Sequence, residues 1–195
     1  MRLYFLEEEW ASDKERRALE AAQPACSASS PSLDLATRRS YNRLPVKAIR
    51  FTKTNRKMDV VEYEVDGKLV ARLENPKQGI IPHDLVHAII ESTLGVRGFT
   101  DLIFDGQKPE FAMKVDGEAW LAESMVEAIQ GMLWSGTLDH KQFTDWVATI
   151  CSQRNVPSVE ISVEEFFELE LKIDEMTQKW KCLEVDSALE FAWPK

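Results

Sequence analysis

The sequence has little cysteine and no long apolar run. Its 195 residues include three cysteines, Cys26, Cys151 and Cys182, without a CxxC motif or paired spacing, so neither a disulfide framework nor a thiolate zinc site is predicted. The apolar stretches are far shorter than the roughly 18 residues needed to cross a bilayer. The start, "MRLYFLEEEW", has acids where a signal peptide has its apolar core. We therefore expect a cytoplasmic protein that does not contact a membrane.

Positive charge is also scarce, and it is unevenly distributed. The chain has 24 basic and 33 acidic residues, for a net charge of −9, yet residues 38–57 contain eight bases and no acid. Such a segment is typical of a nucleic-acid-binding strand or of an edge strand that Lys and Arg guard against aggregation. The acidic chain as a whole repels phosphate, which favours the edge strand. We do not expect nucleic acid as a partner, and no specific partner is predicted.

Residues 1–44 differ in composition from the rest of the chain. The stretch "QPACSASSPSLDLATRRSYN" is rich in Ser, Ala and Pro and has no sustained periodicity. We therefore predict a partly disordered N-terminal appendage over 1–44 and a single domain over 45–195.

Alternating apolar and polar residues indicate an antiparallel sheet. "VKAIRFTK", "DVVEYEV" and "KLVARLE" alternate as half-buried strands do, and the Asp66-Gly67 pair between the last two is a strong hairpin signal. Near the end of the chain, "SALEFAWP" alternates again. This pattern predicts a last strand that joins the same sheet.

Four helices are predicted between the third and the last strand. The first three cover about 82–94, 118–134 and 139–153, and the fourth begins at a capping box formed by Ser162 and Glu165. In the fourth, apolar residues recur at spacings of three and four over only about two and a half heptads, and this short length favours packing within the domain over a coiled coil. The expected fold class is α+β: an antiparallel β-sheet of three N-terminal strands and one C-terminal strand, packed against about four helices.

The stretch "IPHDLVHAIIESTLG" contains His83 and His87, two of the three histidines in the chain, and Glu91 follows at the same spacing. Residues four apart on a helix lie side by side, so two imidazoles at this spacing can bind one zinc ion at about 2.1 Å. Glu91 is either a third ligand or a hydrogen-bond acceptor that holds His87 in its ligating tautomer. The helix start favours neutral, ligating His83.

Two other interpretations of this stretch stay open. The histidines can be structural residues at the border of an apolar face, with Asp84 as a favourable acid in the first helical turn. Alternatively, a histidine and Asp84 form a catalytic pair without a metal. His140, on the apolar side of its helix, is interpreted as a packing residue.

"HDLVH" resembles the HExxH helix of zinc metallopeptidases, with Asp84 in the place of the catalytic glutamate. The predicted order of a sheet, this helix and a second, Glu-bearing helix is similar to the order in that class. The resemblance implies that Asp84 is the general base, although its side chain is one methylene shorter than Glu. It also implies a further ligand from "EAWLAESMVEAIQ", in which Glu123 and Glu127 are four residues apart, and Glu127 is the choice.

A broader resemblance covers about residues 47–195. "PHDLVH" with its following Glu91, "LGVRGF", and the terminal segment that runs from Lys179-Trp180 to "LEFAWP" resemble a family of small uncharacterised bacterial proteins. This resemblance implies the fold and the domain boundaries, and it implies no reaction.

These observations lead to two hypotheses about function. The first is a zinc-dependent enzyme, a hydrolase, with metal ligands from His83, His87, Glu91 and Glu127 and with Asp84 as the catalytic residue. The alternative is a non-enzymatic interaction module that uses the basic segment 38–57 or the acidic C-terminal helix to bind a partner.

Overall fold

The sheet has four antiparallel strands in the order β3-β2-β1-β4. The structure, a computed structural model, describes residues 46–108 and 117–194, which belong to one unit of the chain, Ser40–Lys195. The strands are β1 (Lys47–Thr52), β2 (Met58–Val65), β3 (Lys68–Pro76) and β4 (Ala188–Trp193). The predicted sheet of three N-terminal strands and one C-terminal strand is confirmed.

The β2–β3 hairpin turns at the Asp66-Gly67 pair, as its sequence predicts. Asp66 has φ 52° and Gly67 has φ 72°, and two left-handed residues in succession give the turn whose twist matches the flanking strands. In β4, Phe191 and Trp193 are both buried on the inner face of the sheet. Alternation along the strands therefore decides which side of the sheet meets the helices.

The expectation of a basic edge strand is wrong for β1. This strand pairs with β2 on one side and with β4 on the other, so it lies inside the sheet. Charged residues in this strand and directly after it have specific contacts: Arg50 donates to Glu190 at 3.0 Å, and Lys53 Nζ donates to the carbonyls of Trp180 and Leu183 at 3.0 and 2.9 Å. The second pair of bonds satisfies carbonyls at the end of a helix.

Five helices lie between β3 and β4 in the described residues, one more than predicted. They are α1 (His83–Leu94), α2 (Phe99–Phe104), α3 (Gly117–Ser135), α4 (His140–Arg154) and α5 (Val163–Cys182). The additional helix, α2, has six residues, which is too few for an apolar period to be recognised. The capping box of Ser162 and Glu165 is present at the start of α5. The α+β fold class is confirmed.

Helix α1 lies at the centre of the helical layer, in contact with α2, α3, α5 and β4. It buries Leu85, Ile89 and Ile90 completely, and it also buries polar side chains. Asp84 is 3% exposed, and Glu91 is 0% exposed. Burying a carboxylate is costly unless it is hydrogen-bonded or paired with a cation, so these residues need a specific explanation.

Other predictions concern features outside this core. The predicted appendage 1–44 lies outside the described residues. No helix within 46–108 and 117–194 is both long and apolar enough to cross a membrane. Cys151 is a buried free thiol.

Candidate metal centre

Three side chains from two helices meet at one point. His83 and His87 of α1 and Glu123 of α3 each offer one ligand atom, and these atoms all lie within 4.8 Å of one another. His87 Nε2 is 3.2 Å from His83 Nε2 and 3.1 Å from Glu123 Oε2. Atoms that bind one zinc ion tetrahedrally at about 2.0–2.1 Å are roughly 3.3–3.4 Å apart. Two of the three separations are therefore close to those of a zinc site.

The start of α1 sets the position of His83. Pro82 precedes the helix, and its carbonyl accepts from the N–H groups of Leu85 and Val86 at 3.0 and 3.2 Å. His83 therefore stands in the first turn, and His87 follows one turn later on the same face. Burial lowers the pKa of His83, and the nearby charge of His87 lowers it further. Both effects favour the neutral imidazole, which is the form that binds metal.

Glu91 holds His87 from the other side. The carboxylate is completely buried, and its Oε1 lies 3.1 Å from His87 Nδ1. It also accepts from the backbone N–H of Thr100 at 3.1 Å and from that of Asp101 at 3.3 Å, both in α2. These contacts fit the second of the two roles considered for Glu91, an acceptor that orients His87 so that Nε2 faces His83 and Glu123.

Gly98 gives Glu91 the space that it occupies. A Cβ atom at position 98 would lie 2.6 Å from the Glu91 carboxyl carbon and 2.7 Å from Ala122 Cβ. Neither neighbour can retreat easily, because Glu91 and Ala122 are both fully buried. The second glycine of the "LGVRGF" segment, Gly98, is thus needed for close packing between the α2 start, α1 and α3.

A second support comes from α3. Gln130, one helical turn beyond Glu127, lies close enough to His83 to raise the pKa of that imidazole, against the larger lowering by burial. Its Nε2 donates to Gln78 Oε1 at 2.8 Å, which ties this contact to the segment between β3 and α1. Side chains outside the three-residue group therefore lie next to both histidines: Glu91 beside His87, and Gln130 beside His83.

Glu127, the carboxylate chosen from the sequence, is not brought to the histidines. It accepts from Arg154 at 2.7 Å, and Arg154 also donates to Ser124 at 3.0 Å and stacks over Trp120 at 5.1 Å. The other candidate of the pair, Glu123, joins His83 and His87. Arg154, a basic residue of α4, thus decides which of the two glutamates remains available for a metal. No local signal in the sequence of α3 indicates this choice.

Asp84 and His140 lie outside the three-residue group. Asp84 Oδ2 accepts from the hydroxyl of Tyr63, on β2, at 3.3 Å. Burial raises the pKa of Tyr63 well above its usual range, and the charges of Asp84 and Glu91 raise it further, so Tyr63 keeps its proton. His140 Nε2 lies 2.7 Å from the carbonyl of Ile161, as expected for a packing residue.

Without a metal ion, His87 is the cation of the cluster. Burial alone lowers the pKa of His87, but hydrogen bonds to Glu123 and Glu91 and the charges of both outweigh it and raise that pKa to about 10. Burial raises the pKa of Glu123, but the hydrogen bond from His87 and the surrounding positive charges lower it to about 2. The metal-free site is therefore a cationic imidazole between two carboxylates.

This arrangement predicts how the stability of the metal-free chain depends on pH. The pKa of His87 is about 10 in the fold, against an ordinary value of 6.5. A raised pKa stabilises the fold fully below 6.5 and loses that contribution as the pH rises through about 10. We expect the free energy of unfolding in chelator to fall between pH 6.5 and 10, measured by urea denaturation. His87→Leu should flatten this slope, and an unchanged slope would contradict the prediction.

The comparisons with known proteins found nothing similar. No protein-family model, curated protein or solved structure matches this chain. The resemblances of "HDLVH" and of the wider segment to known families therefore stay predictions.

Proposed function

We propose that the chain is a metal-dependent hydrolase that binds one zinc ion between His83, His87 and Glu123. The observation that carries this proposal is the meeting of three ligand atoms from two helices within 4.8 Å. Two imidazoles and one carboxylate are a ligand set found in catalytic zinc sites, where water occupies the fourth position.

The charges of the cluster support a divalent ion. Glu91 and Glu123 contribute two negative charges around His87, and the imidazolium offsets only one of them. With a divalent ion and neutral imidazoles, the ion offsets both carboxylates, and His87 Nδ1–H continues to donate to Glu91. A cation at this place thus removes the imbalance while keeping every hydrogen bond from α2.

The proposed chemistry follows from this ligand set. A zinc ion with three protein ligands lowers the pKa of its bound water to about 7 and polarises a carbonyl or phosphoryl oxygen. The Glu123 side chain is 35% exposed, whereas that of His87 is 2% exposed, so the cluster reaches solvent on the Glu123 side. Asp84, which accepts from the Tyr63 hydroxyl at 3.3 Å, is the proposed base because it stands in the place of the catalytic glutamate in the resemblance of "HDLVH" to the HExxH helix.

A matched pair of variants tests the zinc proposal. Glu123→Gln and Glu127→Gln make the same chemical change one helical turn apart, but only the first removes a proposed ligand. In protein purified without a histidine tag, we expect about one zinc ion per chain in the wild type and in Glu127→Gln. Glu123→Gln should weaken zinc binding more than about 100-fold, since even residues behind the ligands contribute about 10- to 100-fold. Equal affinities in the two variants would contradict the proposal.

Hydrolysis is tested separately from metal binding. We expect the zinc-loaded chain to hydrolyse a member of an ester, amide and phosphoester panel, and we expect a chelator to abolish that activity. Asp84→Asn should lower the rate of the zinc-loaded chain while leaving its zinc content unchanged. Zinc binding without activity on the whole panel would leave the site as a structural one.

A non-enzymatic interaction function is the second candidate, and one observation favours it. The basic segment offers little support, because Arg50 and Lys53 contact residues within the fold. The acidic C-terminal helix α5 instead exposes large apolar side chains. These side chains carry a separate inference, which does not depend on the metal.

A further inference from the structure

Helix α5 is apolar on two opposite faces. Its inner face is buried in the core through Phe166, Leu169, Ile173, Met176 and Trp180. On the outer face Val163, Phe167 and Leu171 are 61%, 55% and 54% exposed. Their spacing of four residues aligns them along one side of the helix. A contiguous exposed apolar patch with a polar rim is typical of a protein-interaction site.

Acidic side chains border this outer stripe. At 100° per residue, Glu164 and Glu168 lie on one side of it, Glu170 lies on the other, and Asp174 follows at its C-terminal end. No ion pair involves these four acids within residues 46–108 and 117–194, in contrast to Glu175, which binds Lys172 and Lys179. The stripe is thus an apolar surface inside a negatively charged border.

The acidic side chains around the outer stripe disfavour binding of a second copy of the chain to it. When two α5 helices pack face to face in an antiparallel pair, the edge with Glu164 and Glu168 meets the same edge of the other copy. In a parallel pair, the edge with Glu164 and Glu168 meets the edge of the other copy that carries Glu170. Either arrangement places acids against acids, and like charges across an interface are strongly unfavourable. Membranes with anionic lipids are disfavoured for the same reason.

We propose that the outer stripe of α5 docks a basic amphipathic helix from another protein. The apolar face of such a helix covers Phe167 and Leu171 by helix-on-helix packing, and its Lys or Arg residues pair with Glu164, Glu168 and Glu170. Charge complementarity selects the partner, while the apolar contact supplies most of the affinity. This proposal is independent of zinc, because none of its residues belongs to the His83 cluster.

The test uses the full chain and a synthetic Leu/Lys amphipathic peptide of about 18 residues, which is long enough to form a helix. A peptide with Glu in place of Lys reports on charge. Phe167→Ser with Leu171→Ser removes the apolar stripe, and Leu69→Ser with Val70→Ser on β3 is the matched control, since those two side chains are 56% and 50% exposed. Binding is measured by fluorescence anisotropy and calorimetry.

We expect the Lys peptide to bind the wild type and the β3 control equally, and the α5 variant at least about tenfold more weakly, as for a loss of 1.4 kcal/mol or more. The Glu peptide should not bind. Equal binding to the α5 variant, equal binding of the Glu peptide, or no binding to the wild type would each overturn the proposal. A wild-type dimer in light scattering that Phe167→Ser and Leu171→Ser together abolish would assign the stripe to a second copy instead.

Discussion

Zinc should raise the melting temperature of the wild-type chain by about 5–10 °C when free zinc is roughly 100 times its dissociation constant. Zinc that binds only the folded state then raises the free energy of unfolding by about 2.7 kcal/mol. Each kcal/mol raises the melting temperature of a domain of this size by about 2–4 °C. The His83→Ala variant should show no shift, because two remaining ligand atoms do not retain the ion. Thermal unfolding with zinc and with chelator measures both effects.

His83 is the better position for this test than His87. Removing His87 also leaves Glu91 without its imidazole partner at 3.1 Å, so the fold itself would weaken. His83→Ala keeps that contact. His140→Ala is the control, since the same side chain is removed at a residue that lies beside Ile161 instead of Glu123. A zinc shift that survives in His83→Ala, or disappears in His140→Ala, would contradict the proposed centre.

Glu91→Ala should lower the free energy of unfolding by about 3–5 kcal/mol even in chelator, because it removes one partner of a buried charged pair. The change leaves the N–H groups of Thr100 and Asp101 without the carboxylate that they bind, and it leaves the His87 cation with Glu123 as its remaining carboxylate partner. For a domain of this size, the melting temperature should fall by about 6–20 °C. Urea denaturation of the metal-free chain measures the loss directly.

Two further variants show whether the loss of stability in Glu91→Ala comes from the buried carboxylate. Glu184→Ala removes an exposed glutamate and should change the stability by no more than about 0.5 kcal/mol. Glu91→Gln keeps the shape of the side chain but directs an amide N–H₂ toward groups that are themselves donors, so it should also be destabilising. If Glu91→Ala costs less than about 1 kcal/mol, the carboxylate does not organise the cluster.

The elements that the sequence predicts correctly are those with local signals. The turn at Asp66-Gly67 needs two left-handed residues, and the α5 start needs Ser162 and Glu165 three positions apart. Such requirements are met within a few residues of the chain, so they are visible in the sequence. Helix α2 has no comparable signal, because it is too short for periodicity and no side-chain cap marks its start at Gly98.

The candidate centre was predictable only in part, for the same reason. His83 and His87 share a helix, so their spacing alone places them side by side. The sequence of α3 does not show whether Glu123 or Glu127 is the metal ligand. The difference between them arises from Arg154, which binds Glu127 and is 27 residues from it in the chain. The contact of Glu91 with the α2 start likewise depends on the turn at Gly98 between two helices. Such choices are made by tertiary packing.

The position of β1 between β2 and β4 has a consequence for biosynthesis. The partners Arg50 and Glu190 are separated by 140 residues, so β1 and its neighbours emerge from the ribosome long before β4 exists. During that interval one side of the nascent strand has unpaired backbone groups, which attract other extended chains. Lys47, Arg50 and Lys53 discourage such pairing by charge. In the folded sheet β4 pairs with β1 along Lys47–Thr52, and this pairing closes that side of the strand once β4 has been synthesised.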